Sequence, residues 1–144
     1  MSIRRVALGA GLALTTAAVV LNASPASAAY KYHTITIKGA EAELGVERQS
    51  DGRVRTRMCV RDTAKDGHAA MGELAVRFIG DSNFYIGVDF KNHKGGMTTA
   101  CRPSHVDYWN VDKLYGRAVV TEKGSTVRSS KWKVIWSRSS GGKP

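Results

Sequence analysis

From His33 to Trp136 apolar and polar residues alternate along the chain with a period of two. His33-Thr34-Ile35-Thr36-Ile37 alternates and stops at Gly39. Ala40, Ala42, Leu44 and Val46 alternate with Glu41, Glu43 and Glu47, and Val54, Thr56, Met58 and Val60 with Arg53, Arg55, Arg57 and Arg61. Leu74, Val76 and Phe78 make one face of the next run, followed by Phe84, Ile86, Val88 and Phe90, and finally Trp132, Val134 and Trp136 beside Lys131 and Lys133. Such runs predict antiparallel strands, each packed on a core from one side. Turn residues separate them at Ser50-Asp51-Gly52, Gly80-Asp81-Ser82, Lys94-Gly95-Gly96 and Glu122-Lys123-Gly124. No long helix is needed. Ser104 to Leu114 reads as at most a short helical turn capped by Ser104 with Asp107, and Val106, Tyr108 and Val111 fit a strand almost as well.

The pattern also sets a register. With Gly52 left-handed in a three-residue hairpin loop, Gln49 faces Arg53, Glu47 faces Arg55, Glu43 faces Cys59 and Glu41 faces Arg61. Val46 then meets Thr56, Leu44 meets Met58 and Ala42 meets Val60, so both faces agree. A two-residue Asp51-Gly52 turn would set glutamates against core positions, which a half-buried sheet does not tolerate. On this register the arginines are expected chiefly as cross-strand partners of the glutamates. The competing reading is a cationic strip for phosphate or sulfate. Gly87, inside an apolar run, is expected to mark a bulge or a close packing contact.

The chain opens with Arg4 and Arg5, an apolar run from Val6 to Leu21, and Ser24-Pro25-Ala26-Ser27-Ala28. These are the three parts of a secretory signal peptide, with cleavage expected after Ala28 or Ala29, and its Ala-rich character resembles an actinobacterial export signal. A transmembrane anchor is the alternative, disfavoured by the short apolar run, so no membrane anchor is expected. The expected layout is a signal peptide over 1–28, one domain over 29–138 and a flexible tail over 139–144. The working protein is then secreted and extracellular, and Cys59 and Cys101, its two cysteines, are expected to form one disulfide. A metal site or a catalytic thiol would be the other use of the pair, but no CxxC spacing supports either.

Together these features predict an all-β fold: a small antiparallel two-sheet β-sandwich of about seven strands with one disulfide, immunoglobulin-like in architecture. It is not a true immunoglobulin domain. No Trp lies between Cys59 and Cys101, and Thr99 stands where that family has Tyr.

Charge changes the picture at one end. The full chain carries 22 Lys and Arg against 12 Asp and Glu; without Arg4 and Arg5, 20 remain against 12, a net charge of +8. From Lys123 onward there are six positive residues and no acid. Arg128, Lys131, Lys133 and Arg138 are the candidate anion-binding or partner-binding residues. Trp132 and Trp136 beside them invite a nucleic-acid or glycan reading, although tryptophans on one face of a strand also suit a core. Nucleic acid has the weaker support. The expected partner is an anionic cell-envelope polymer or a secreted protein, with oligomeric state left open.

For catalysis the nearest grouping is Asp89, His93, His105 and Asp107. A metal site or a hydrolytic site needs such groups to converge, which spacing alone does not establish. No HExxH, GxSxG, P-loop, SxxK or EF-hand pattern is present. No cofactor, metal ligand or catalytic residue is therefore assigned. The expected function is non-catalytic binding through a basic surface, with the loops Asp62 to Gly72 and Gly80 to Asn83 as recognition sites. The alternative is a small secreted basic hydrolase, such as a ribonuclease.

Overall fold

The strands are antiparallel and form two stacked sheets. The computed structural model describes residues 29–139; the expected signal peptide, 1–28, and residues 140–144 of the expected tail lie outside them. Ten strands follow in chain order: β1 (Lys31–Ile37), β2 (Ala40–Arg48), β3 (Val54–Asp62), β4 (Ala69–Phe78), β5 (Tyr85–Lys91), β6 (Thr99–Cys101), β7 (Val106–Tyr108), β8 (Val111–Glu122), β9 (Ser125–Ser129) and β10 (Lys133–Ser137). One sheet runs β1-β2-β3, with β6 and β7 sharing the far edge of β3; the other runs β5-β4-β8, with β9 and β10 sharing the far edge of β8. The fold is thus an all-β sandwich. It has ten strands rather than about seven because β6 and β7 are too short, and β9 too exposed along its whole length, to give a period-two signal. Ser104 to Leu114 contains no helix: it forms β7, a turn and the start of β8. The loop expected from Asp62 to Gly72 is shorter, since β3 continues through Asp62 and β4 starts at Ala69.

The β2–β3 hairpin has the register that parity demands, with Glu47 opposite Arg55, Glu43 opposite Cys59 and Glu41 opposite Arg61. Gly52 has φ +90°, Gly52 N–H donates to the Gln49 carbonyl at 3.0 Å, and Gln49 N–H donates to the Arg53 carbonyl at 2.8 Å. The inner faces supply the core: Leu44, Val60, Leu74, Val76, Leu114 and Val120 are fully buried. Gly116 allows the sheets to approach, because a Cβ there would lie 2.0 Å from Leu44 Cδ1. Cys59 and Cys101 sit directly opposite each other on β3 and β6 and are disulfide-bonded, so the bridge ties neighbours within one sheet rather than linking two. Such a bond belongs to oxidising compartments rather than to the reducing cytosol. No helix among the described residues is long and apolar enough to cross a membrane.

Two bulges overturn the expected facing of two strands. On β5, Val88 pairs with Leu74 and Ile86 with Ala75, leaving Gly87 as the extra residue. The shift turns Phe84 and Ile86 outward, and Ile86 is 58% exposed, while Val88 and Phe90 remain packed on the core. Both readings of Gly87 hold at once, because a Cβ there would also lie 2.4 Å from the Tyr108 hydroxyl oxygen. On β10 the register slips between Val134 and Trp136. The extra residue, Ile135, becomes the buried one at 4% exposure, while Val134 faces solvent at 48%. Trp136 packs on the core, but Trp132 does not: it lies edge-on to Phe84 (5.4 Å) under the Arg117 guanidinium (4.4 Å), on the outer face of the second sheet. Trp132, Val134 and Trp136 therefore do not share a face. One inserted residue reverses every side chain beyond it.

Candidate functional site

Arg53, just before β3, and Arg55 and Arg57 on it are engaged, but not chiefly by the glutamates. Asp107 on β7 stands opposite Arg55. Arg55 Nε donates to Asp107 Oδ1 at 2.9 Å, and Arg53 Nη1 donates to Oδ2 at 3.1 Å. Arg53 Nε also donates to Asp51 Oδ2 at 2.7 Å, and the Arg57 guanidinium lies 5.6 Å from the Tyr30 ring centroid. The hydrogen bond from Arg55 holds the Asp107 carboxyl below the usual carboxylate range. This carboxylate occupies the Arg53–Arg55 end of the strip, where a phosphate would otherwise be received. In the second sheet Arg77 pairs with Asp112, and Arg117 with Glu73.

The four residues of the basic C-terminal stretch lie in a line. Arg128 on β9 stands opposite Val120, and its Nη1 donates to the Lys38 carbonyl at 2.8 Å. Lys131 is exposed between β9 and β10, and Lys133 starts β10 opposite Gly116. Arg138 follows β10, its backbone N–H donating to the Asp112 carbonyl at 2.8 Å. Their partners on β8 run from Val120 to Asp112, a span of roughly 25 Å at the rise of an extended strand. Among the described residues, no ion pair involves any of these four side chains. Lys31 and Lys133 both act on His33, whose pKa is lowered first by burial and then by these two positive charges. The seam between the β1 and β10 edges is therefore electropositive.

Asp89 and Asp107, the two acids of the grouping with His93 and His105, do not come together. Asp89 stands opposite Glu73 on the outer side of the second sheet, whereas Asp107 is on the outer side of the first. Stacked sheets are about 10 Å apart, so these carboxylates cannot share a site. His105 is 4.0 Å from Asp107, but that carboxylate is already held by two arginines. His68 lies near two acids, Asp66 at 3.1 Å and Glu122 at 3.6 Å, and no Ser, Thr or Cys hydrogen-bonds to it among the described residues. Among the described residues, no three His, Cys, Asp or Glu side chains are placed to hold a metal ion.

One open cleft lies at the end of the sandwich, with a volume of about 260 Å³. Five segments meet there: the end of β2 (Arg48), the β2–β3 loop (Asp51), the residue after β4 (Ile79), the β7–β8 turn (Trp109, Asn110) and the end of β10 (Trp136, Arg138). Trp109 is 56% exposed, and the Arg53 guanidinium lies 5.4 Å from the centroid of its ring. Asn110 takes a left-handed conformation (φ +54°), and its carbonyl accepts from Ile79 N–H at 2.8 Å, fixing the turn against the end of β4. Arg138 alone of the basic stretch lines this cleft. Arg48, Trp109 and Asn110 were not expected as site residues. The available signal was an indole followed by Asn in a turn between two alternating runs, a residue too large and apolar for an ordinary exposed turn.

In comparisons with known proteins, the chain matches no family model, no curated protein and no solved structure.

Proposed function

We propose that the chain is a secreted, non-catalytic binding module whose basic C-terminal stretch engages an anionic polymer of the cell envelope. The observation that carries this reading is how the acids are used. Asp51 and Asp107 serve Arg53 and Arg55, Asp112 serves Arg77, and Glu73 serves Arg117. Arg128, Lys131, Lys133 and Arg138 remain outside the ion pairs of the described residues, on one line along the second sheet. Cations spaced along an extended strand suit a repeating polyanion better than a compact ion, because successive negative groups meet successive side chains. The export motif and the disulfide agree with a working place outside the cytosol.

Chromatography of the mature domain on immobilised heparin and on teichoic acid tests the reading. Retention that weakens as salt rises is expected, with a variant carrying Arg128→Ser, Lys131→Ser and Lys133→Ser eluting at lower salt. Equal elution of parent and variant, or no retention of the parent on either matrix, would contradict it.

A further inference from the structure

We infer that the cleft between the β2–β3 loop, the β7–β8 turn and the end of β10 binds a single sugar ring carrying an acidic substituent. The inference rests on the polyanion reading and names the unit recognised at one end of it. The chemistry of the lining separates into three parts. Arg138 supplies a guanidinium group, which holds carboxylates and phosphates through paired hydrogen bonds, and Arg48 adds positive charge to the lining. Trp109 and Trp136, with Ile79 beside them, supply apolar surface. An indole face is negative and attracts the weakly positive C–H groups on one side of a sugar ring. Asp51 and Asn110 supply acceptors and an amide donor for hydroxyl groups.

The placement of Asp51 decides between an acidic sugar and a plain aromatic acid. Its pKa is lowered by the hydrogen bond from Arg53 N–H (3.1 Å), and the Arg53 side chain holds its other oxygen, so the group stays ionised without presenting a bare negative charge to an incoming anion. Arg53 takes only part of the acceptor capacity of that carboxylate, so sugar hydroxyls can pair with the rest of it and with the Asn110 amide, which a flat aromatic acid cannot do. Size points the same way. At about 260 Å³ the cleft is just below the roughly 300–1,000 Å³ of sites for drug-sized ligands, so it accepts one ring and its substituent rather than a run of several. The polymer would then lie along the basic line and present one acidic unit to the cleft at Arg138.

The three tryptophans provide the readout. Trp109 and Trp136 line the cleft, while Trp132 is held by Phe84 and Arg117 on the outer face of the second sheet and serves as an internal control. The mature domain is titrated with a glucuronate-terminated disaccharide, its neutral glucose counterpart, glucose 6-phosphate and inorganic phosphate, following the indole N–H signals by NMR. Saturable shifts of Trp109 and Trp136, with Trp132 unmoved, are expected from glucuronate or from glucose 6-phosphate, the stronger of the two naming carboxylate or phosphate as the acid. The neutral sugar is expected to bind at least tenfold more weakly. Arg138→Ala and Trp109→Ala are each expected to weaken the acidic ligand about tenfold; Trp109 is exposed, so its loss removes no core packing. Equal response to inorganic phosphate and to the sugar acids, equal binding of acidic and neutral sugars, or silence at Trp109 and Trp136 would overturn the inference. If the parent is retained on heparin or teichoic acid while those two indoles stay silent, the cleft assignment fails and the polymer reading stands. If the parent is retained on neither, the polymer reading itself fails.

Discussion

Arg55 and Asp107 face each other across β3 and β7, with Nε 2.9 Å from Oδ1, and Arg53 completes the group from the same side at 3.1 Å. A three-residue strand has few backbone bonds with which to hold its place, so this carboxylate helps to fix β7, and with it the Trp109-Asn110 turn that lines the cleft. Asp107→Asn is expected to lower Tm by a few degrees and to broaden the Trp109 signal. Both Asp107 and Asp51 have depressed pKa values in the folded protein, so the stability they contribute is complete above the ordinary carboxylate value near 4 and is lost as pH falls through their lower folded values. Melting between pH 6 and pH 2 should therefore fall less steeply in the variant than in the parent. Identical pH profiles would remove Asp107 from this role.

Gly116 should tolerate no side chain. Its Cβ would lie 2.0 Å from Leu44 Cδ1, and both residues belong to the packed interior. Gly116→Ala is expected to cost about 1–3 kcal/mol by overpacking. Leu44→Val in the same chain should recover part of that loss, because it removes the methyl group in conflict. Urea unfolding of the single and double variants checks this; a double variant no more stable than Gly116→Ala alone would show that the conflict lies elsewhere.

The Cys59–Cys101 bridge closes a loop spanning 42 positions. Loss of that restraint on the unfolded chain is worth about 3–4 kcal/mol in the chain-entropy model. Cys59→Ser with Cys101→Ser should give a large drop in Tm while retaining β-rich circular dichroism, since the bridge joins strands already paired within one sheet. A Tm unchanged by the double substitution would mean that the bridge adds little to folding.

The legible part of the fold was the part written locally. Ser50-Asp51-Gly52 fixed a loop length, and the alternation on either side left one register consistent with both faces, which is the register of β2 and β3. The alternation could not reveal where an extra residue enters. Gly87 was marked as a bulge or close contact, but its reversal of Phe84 and Ile86 depends on how β5 meets β4, and Ile135 carries no mark at all. Arg55 looked like a partner of Glu47 because the hairpin is local; its actual acceptor lies 52 positions away on a strand of three residues. The basic residues of the C-terminal stretch were visible as a charge run. The cleft was not, because five separated segments build it and only Arg138 belonged to that run.

The most direct measurement is the affinity of the mature domain for a heparin chain, taken by calorimetry at several salt concentrations. Cations that neutralise a polyanion release its counterions, so log K should fall linearly with log salt. Replacing Arg128, Lys131 and Lys133 by Ser should flatten the slope by roughly two to three units, about 0.9 for each cation removed if heparin behaves as a duplex does. A parent with no measurable affinity, or a variant with the parent's slope and affinity, would contradict the account.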